Sequence, residues 1–287
     1  NSEPLKMADL KGKVVLIDFW TYSCINCIRT LPYIEGYWDK FKDSNFVLVG
    51  VHTPEFVFEQ KTDNVKAAIK KYGLTYPVGQ DNDFGTWNAF ANRYWPAKYL
   101  IDAEGYIRYE HFGEGAYEET DEAIESLLAE IGAKGKDMPL PEEPQAGARQ
   151  RSPEIYIGER SWPALANAQG NPSEEENTYT APESLALHKY ALDGTWQLSS
   201  DGEYQELKST AGEIRMHFQG SEMNLVLGLA DGVSSVSADV WIDGKKLKDI
   251  TVTMHDLYEL FKGAAGEHEL ILKFKGKGVE AYAFTFG

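Results

Sequence analysis

The two cysteines of this 287-residue chain, Cys24 and Cys27, are its only ones, and just two residues separate them. They follow the apolar run Val14–Trp20, which predicts a buried strand, and they precede a stretch with helical spacing. Unpaired N–H groups and the helix dipole stabilise a thiolate on the first cysteine of such a helix. The second cysteine lies one turn further on, within reach of a disulfide. The pattern is typical of a redox-active dithiol.

Two other uses of a close cysteine pair are a structural disulfide and half of a zinc site. A disulfide that closes so small a loop restricts the unfolded chain little. A structural zinc ion needs about four ligands, but there is no second cysteine pair, and the six histidines are scattered without the usual spacing. The residues therefore favour a redox dithiol, and we expect no metal site.

Length, charge and apolar content limit the number of domains and the kinds of partner. The length fits about two domains, and a net charge of -17 argues against a nucleic-acid partner. No run of about 18 apolar residues is present, so the sequence predicts no membrane-spanning helix. The chain begins at Asn1 without a signal-like segment, and we expect a processed or excised fragment whose targeting information lies elsewhere.

Strand and helix patterns alternate over residues 1–132, which predicts an α/β domain with a mainly parallel sheet and an antiparallel hairpin at its edge. The predicted strands are Val14–Phe19, Phe46–Val51, Lys98–Ile101 and Tyr106–His111, and the predicted helices are Cys27–Phe41, Asp63–Tyr72, Asp83–Tyr94 and Thr120–Ile131.

The pattern changes after residue 132. Residues 133–153 are polar and rich in proline, which indicates a linker, with an ordered arm lying across both domains as the alternative. Residues 154–287 contain short alternating runs separated by turn signals, which predict an all-β sandwich. Its predicted strands are Ile214–Gln219, Met223–Leu229, Ser237–Ile242, Leu247–Thr253, His268–Lys275 and Val279–Phe286, with a helical turn at His255–Phe261.

The segment around the cysteines resembles the thioredoxin superfamily, and within it the TlpA-like extracytoplasmic thioredoxins. Asp18 matches the acid buried beneath the family's disulfide, and Trp20 matches its active-site tryptophan. Pro32 matches the proline that kinks its active-site helix, and Pro96 stands where the family has a cis-proline. The resemblance thus implies a thioredoxin-like fold for residues 1–132.

The whole chain is similar to a narrower group, the DipZ-type proteins. The resemblance rests on Phe19–Pro32 in the first domain, and on Ser152–Gly158 and Ala281–Gly287 in the second. DipZ-type proteins join a CcdA-like membrane electron carrier to a thioredoxin-like domain and a β-sandwich resembling carbohydrate-binding modules. The resemblance implies an extracytoplasmic protein, membrane-tethered at full length, with a CcdA-like electron donor, no cofactor and a jelly-roll-like second domain.

The resemblance also assigns roles to residues. Cys24 is expected to attack a disulfide of a protein substrate, and Cys27 to resolve the mixed disulfide. Asp18 is expected to move the proton of Cys27, because burial raises the pKa of a carboxyl group. A cis bond at Pro96 would leave the backbone of Trp95 free to pair with substrate.

Trp20 is a further predicted substrate contact, with simple packing as the alternative. The direction of electron flow is inferred from the residues between and near the cysteines. The dipeptide Ile25-Asn26 between the cysteines carries neither a cation nor a proline, so nothing over-stabilises the reduced form as in strong oxidants. Together with Asp18, this favours disulfide reduction.

Two other functions stay open at the level of sequence. Thr21 and Cys24 form the T-x-x-C pattern of thiol peroxidases, although Ile17 stands where that family has a proline. The second domain is rich in Trp and Tyr, which could stack on sugar rings and make a glycan-binding or adhesion module. We regard a scaffold or partner-docking role as the better interpretation of that domain.

Overall fold

The computed structural model describes residues 1–142 and 151–287, which form two compact units, residues 1–145 and 146–287. Helices and strands alternate in the first unit, and the described part of the second is built from strands and one short 3₁₀ turn. The domain bounds expected from the sequence, 1–132 and 154–287, stay a prediction. Part of the expected linker, residues 143–150, lies outside the described residues.

The first unit contains a five-stranded sheet in the order β3-β2-β1-β4-β5. Its strands are β1 (Val14–Trp20), β2 (Phe46–His52), β3 (Val78–Gln80), β4 (Ala97–Ile101) and β5 (Ile107–Phe112). β1 is central and buried along its whole length, with β2 parallel and β4 antiparallel to it. The antiparallel β4–β5 hairpin confirms the prediction for the sheet edge. β3, which is short and partly exposed, was not predicted.

The helices of this unit are α1 (Ile25–Phe41), α2 (Thr62–Tyr72), α3 (Gly85–Ala89) and α4 (Tyr117–Glu130). The predicted helix Asp83–Tyr94 is wrong in length, because α3 spans a single turn. Left-handed backbone at Phe84 and Ala91 bounds that turn, and the carboxylate of Asp81 accepts the N–H groups of its second and third residues. Local hydrogen bonding therefore replaces a longer helix here.

The beginning of the expected linker is folded onto the first unit. The N–H of Lys136 donates to the carbonyl of Lys40 at 3.0 Å. The hydroxyl of Tyr33 donates to the carbonyl of Glu142 at 3.0 Å. Residues 136–142 thus follow α1 rather than extending freely.

Within its described residues, 151–287, the second unit is all-β and contains a sheet of nine strands, which confirms the all-β part of the prediction. Its strands are β6 (Ile155–Tyr156), β7 (Glu176–Tyr179), β8 (Lys189–Leu198), β9 (Gln205–Leu207), β10 (Gly212–Leu229), β11 (Val236–Ile242), β12 (Lys245–Val252), β13 (Asp256–Phe274) and β14 (Val279–Phe286). β10 pairs with β8 through Glu213–His217 and with β14 through Met223–Leu229. Because β9 joins β14 to β8, these four strands close into a ring.

Two sequence predictions for this unit are corrected. Ile214–Gln219 and Met223–Leu229 belong to one long strand, β10, whose pairing with β13 shifts register between Gly220 and Glu222. The helical turn expected at His255–Phe261 is wrong, because most of it lies in β13 and pairs with β10. A long neighbouring strand supplies the hydrogen bonds that a helical turn would otherwise make within itself. The strands β6 to β9 were not predicted, including the ten-residue β8.

Candidate active site

The cysteines lie where β1 gives way to α1. Cys24 is the N-cap of α1, with extended backbone, and its Sγ accepts the N–H of Cys27 at 3.3 Å. Both are free thiols, but Cys24 is half-buried whereas Cys27 is only 1% exposed. An N-cap acceptor satisfies one of the unpaired N–H groups of the first turn. The arrangement gives one accessible sulfur at the positive end of a helix and one enclosed sulfur a turn later.

The enclosed sulfur lies near a buried carboxyl group. Burial raises the pKa of the Cys27 thiol well above its usual value, and its hydrogen bond with Cys24 and the charge of Asp18 raise it further. Asp18 is 1% exposed, and burial raises its pKa to about 7 although Lys98 acts to lower it. Within the described residues, Oδ1 of Asp18 has no hydrogen-bond partner. Asp18 can therefore both accept and release a proton near neutral pH.

Strand register determines what surrounds Asp18. It is paired with Gly50 on β2 and with Lys98 on β4. A Cβ atom at Gly50 would lie 2.8 Å from Cε2 of Tyr76, so glycine at this position allows the ring to pack against β2. Lys98 is fully buried, and burial lowers its pKa while Asp18 raises it. Sequence reasoning missed Lys98, because a lysine at the start of a strand has no local signal that it is buried.

The predicted cis peptide bond between Trp95 and Pro96 is confirmed. Pro96 is buried and directly precedes β4, the antiparallel neighbour of β1. Trp95 is half-buried, with its ring 4.2 Å from that of Trp87 and its Nε1 donating to the carbonyl of Thr53 at 3.0 Å. Since the N–H of Thr53 donates to the carbonyl of Trp20, Trp95 lies near the end of β1, where the cysteine loop begins.

Trp20 does not match its predicted role. Its side chain is 0% exposed and packs edge-on against the His52 ring at 5.3 Å. Tyr22, also buried, stacks on the same ring at 5.5 Å. A fully enclosed indole cannot contact a substrate, so the structure favours the alternative of simple packing for Trp20.

Two further ionisable groups beside this loop were not found from sequence. Burial lowers the pKa of His52 to about 4, so its ring is neutral at pH 7. Burial raises the pKa of Glu59 to about 7, against hydrogen bonds from Ser23 and Thr21 that lower it. His52 is the last residue of β2 and Glu59 lies seven residues later, and only the fold brings them beside the cysteine loop.

The described residues contain no group of three or more His, Cys, Asp or Glu side chains placed to hold a metal ion. Among those same residues, no helix is long and apolar enough to cross a membrane.

Sequence comparison with known proteins indicates the family of this chain. Residues 1–110 match the AhpC/TSA family, and residues 152–287 match the family described as "Thioredoxin like C-terminal domain". Protein DipZ of Mycobacterium bovis is 34% identical over 292 residues, covering 100% of this chain and 40% of DipZ. The chain belongs to the thioredoxin superfamily.

The first domain of this thioredoxin-superfamily chain also has relatives of its own size. Thiol-disulfide oxidoreductase YkuV of Bacillus subtilis is 29% identical over 130 residues, covering 45% of this chain and 87% of YkuV. A crystal structure of a thiol-disulfide isomerase from Corynebacterium glutamicum is 26% identical, with a TM-score of 0.43, and covers 45% of this chain and 89% of that one. Family membership therefore rests on the sequence matches, which include named thiol–disulfide oxidoreductases.

Proposed function

We propose that this protein is an extracytoplasmic thiol–disulfide oxidoreductase that reduces disulfides of protein substrates through Cys24 and Cys27. The observation that carries the proposal is the unequal exposure of the two sulfurs. Cys24 is half-buried and caps α1, whereas Cys27 is enclosed, and burial and the charge of Asp18 raise the pKa of its thiol. An accessible nucleophile followed by an enclosed resolving thiol is what two-step disulfide exchange needs.

In the first step, the Cys24 thiolate attacks one sulfur of the substrate disulfide, and the other sulfur leaves as a thiolate that takes up a proton. In the second step, Cys27 attacks Sγ of Cys24, the mixed disulfide breaks, and the second substrate thiol is released. Asp18 accepts the proton of Cys27, and its pKa of about 7 suits that task. The substrate gains two electrons and two protons, and Cys24 and Cys27 become a disulfide.

The oxidised protein then needs an electron donor. We propose a CcdA-like membrane carrier, with the full-length protein tethered to the membrane on its outer side. Support comes from the similarity to DipZ along the whole chain, which spans 40% of DipZ. Trp95 and Pro96 would border the substrate segment, because Trp95 keeps part of its ring exposed next to the cysteine loop.

The reduction potential of the Cys24/Cys27 pair tests the direction of electron flow. The protein is equilibrated in glutathione or dithiothreitol buffers of known potential, and the oxidised fraction is read by alkylation and mass spectrometry. We expect a value near that of thioredoxin, about -270 mV. A value near about -120 mV would make the protein an oxidant and overturn the reductase proposal.

A thiol peroxidase is the alternative within enzymes, and the environment of Thr21 disfavours it. That side chain is fully buried, and its hydroxyl lies 3.3 Å from Nε2 of His52, in the interior of the domain. A hydroxyl held there is not available to a peroxide at Cys24. We expect no rapid consumption of hydrogen peroxide by the reduced protein, and fast turnover would replace the reductase proposal.

For the second domain we propose partner docking, with the jelly-roll, carbohydrate-binding-module-like form as a prediction. Glycan stacking needs exposed aromatic rings, but each Trp, Tyr and Phe within residues 151–287 is buried or half-buried. The Trp and Tyr residues that make this domain rich in aromatics are Tyr156, Trp162, Tyr179, Tyr190, Trp196, Tyr204, Trp241, Tyr258 and Tyr282. Binding to cell-wall polysaccharide by a variant lacking both cysteines would favour the glycan-binding alternative.

A further inference from the structure

Glu59 is a fully buried carboxylate that accepts four hydrogen bonds beside the cysteine loop. Its Oε1 accepts from the hydroxyl of Ser23 at 2.6 Å and from the N–H of Ser23 at 3.4 Å. Its Oε2 accepts from the N–H groups of Glu55 at 2.6 Å and Phe56 at 3.1 Å. One side chain thus joins the loop after β1 to the loop after β2.

Half of this arrangement has an ordinary structural purpose. Glu59 is the third residue of the 3₁₀ turn Val57–Gln60, and its bonds to Glu55 and Phe56 satisfy N–H groups at the start of that turn. A solvent-exposed glutamate would do the same without the cost of burying a carboxylate. Capping does not account for the two bonds to Ser23, 36 residues away in sequence.

Glu59 stays buried although burial disfavours the charged form of its carboxyl group. Burial is the largest effect on its pKa, hydroxyl groups of Ser23 and Thr21 lower it, and the nearby Glu55 raises it. The hydroxyl of Thr21 also lies 3.3 Å from His52, whose pKa is lowered to about 4, so that ring offers no positive charge at pH 7. The geometry is therefore set by hydrogen bonds to the loop.

We propose that Glu59 is a positioning residue for Cys24, which it holds through the peptide of Ser23. The inference rests on the proposed function, in which Cys24 is the attacking thiol. Ser23 is the residue directly before the N-cap. Fixing its N–H and hydroxyl fixes the backbone that presents Sγ of Cys24 to the N–H of Cys27. That N–H favours the thiolate over the thiol, because a hydrogen bond to the charged form stabilises it.

The decisive variant is Glu59→Gln, which keeps the size and shape of the side chain. A carboxylate offers two acceptor oxygens, whereas an amide offers one oxygen and an NH₂ group that only donates. The variant therefore loses the acceptor either for the N–H and hydroxyl of Ser23 or for the N–H groups of Glu55 and Phe56. The readout is the rate of Cys24 alkylation by iodoacetamide between pH 5 and pH 10, with the modified cysteine identified by mass spectrometry.

We expect the midpoint of this pH–rate profile to move up by about one pH unit in Glu59→Gln, with unchanged circular dichroism. Ser23→Ala should move it in the same direction, and the double variant should move it no further than Glu59→Gln alone, since both act through one contact. The matched control is Glu114→Gln, which removes a half-buried carboxylate paired with Arg29 of α1 and leaves the midpoint in place.

A midpoint that moves down would mean that Glu59 acts by its charge on the thiolate, and an unchanged midpoint would mean that it does not position Cys24. Additive shifts in the double variant would also overturn the proposal. If Glu59→Gln does not fold, Ser23→Ala alone decides, and an unchanged midpoint there contradicts it. Alkylation of Cys24 needs no substrate, so its pH–rate profile can be measured even in a protein without reductase activity. Absence of reductase activity in the wild-type protein would contradict the proposed function, whereas the profile tests the role of Glu59 separately.

Discussion

Two buried carboxyl groups, Asp18 in the first domain and Glu280 in the second, have different surroundings. In the first domain, Asp18 lies in the central strand with one oxygen unpartnered among the described residues, and burial raises its pKa to about 7. In the second, Glu280 on β14 is nearly buried, and its Oε2 lies 2.8 Å from Nε2 of His255 and accepts the hydroxyl of Tyr282 at 2.8 Å. Oδ1 of Asp18 thus has no hydrogen-bond partner among the described residues, whereas Oε2 of Glu280 has two.

This difference distinguishes Asp18, a carboxyl group suited to carrying a proton, from Glu280, a carboxyl group suited to stabilising the fold. A buried polar group with good partners contributes to stability and specificity of packing. A buried acid without them is costly to ionise, which brings its pKa towards the working pH of a proton carrier. Substitutions at the dithiol and at the two carboxyl groups test this contrast.

Removing the accessible sulfur should have the largest effect. We expect Cys24→Ser to lower the rate of insulin disulfide reduction by at least about a thousandfold, because a hydroxyl at neutral pH is a far weaker nucleophile than a thiolate. Cys27→Ser should instead accumulate a mixed disulfide with substrate, detected by its mass. The control is Glu280→Gln in the second domain, which should keep the rate within about twofold. A comparable loss of rate in Glu280→Gln would mean that the carboxyl group of the second domain also contributes to the reaction.

Asp18→Asn should change how stability depends on pH. Between pH 4 and pH 8 the folded state holds the proton of Asp18 more tightly than the unfolded state, because its pKa is raised from 3.8 to about 7. The wild-type protein therefore loses stability as pH rises through this window, by about 4 kcal/mol from this group alone. The variant should lack that loss. Urea denaturation at pH 4, 6 and 8 measures it, and parallel curves for the two proteins would contradict the assigned pKa.

Matched glycine substitutions compare the packing around the two carboxyl groups. A Cβ atom at Gly50, which pairs with Asp18, would lie 2.8 Å from the Tyr76 ring, and one at Gly228 would lie 2.1 Å from Cδ2 of His255. We expect Gly50→Ala and Gly228→Ala each to lower the free energy of unfolding by about 1–3 kcal/mol. Only Gly50→Ala should also change the alkylation profile of the thiols. A changed profile in Gly228→Ala would mean that the second domain influences the dithiol.

The smallest effect is expected for Glu280→Gln. The amide keeps one oxygen to accept from Tyr282 or His255, so the cluster is weakened rather than lost. The expected decrease in the free energy of unfolding is about 1 kcal/mol, the usual contribution of a hydrogen bond. Chemical denaturation of the full chain measures it, and a loss above about 4 kcal/mol would mean that this carboxylate is as critical as a buried unpaired charge.

Much of the first domain could be predicted because its signals are local. The spacing of Cys24 and Cys27 at the start of a helix, the apolar run of β1 and the end of α2 at Gly73 depend on neighbouring residues, and the structure has each of them. In the second domain the long strands β10 and β13 were misread. Their bends and register shifts depend on pairing with distant strands, and a break in alternation looks the same as a turn.

Residue type and spacing along one stretch of chain were enough to locate the dithiol, and the resemblance to the thioredoxin superfamily implied the acid before it and the cis-proline. The pairing of Lys98 with Asp18, the enclosure of Trp20 and the hydrogen bond between Glu59 and Ser23 became visible only in the folded chain. Burial and register depend on which distant segments meet. The removal of water around a carboxyl group, which raises its pKa, is a property of that packing and of no single segment.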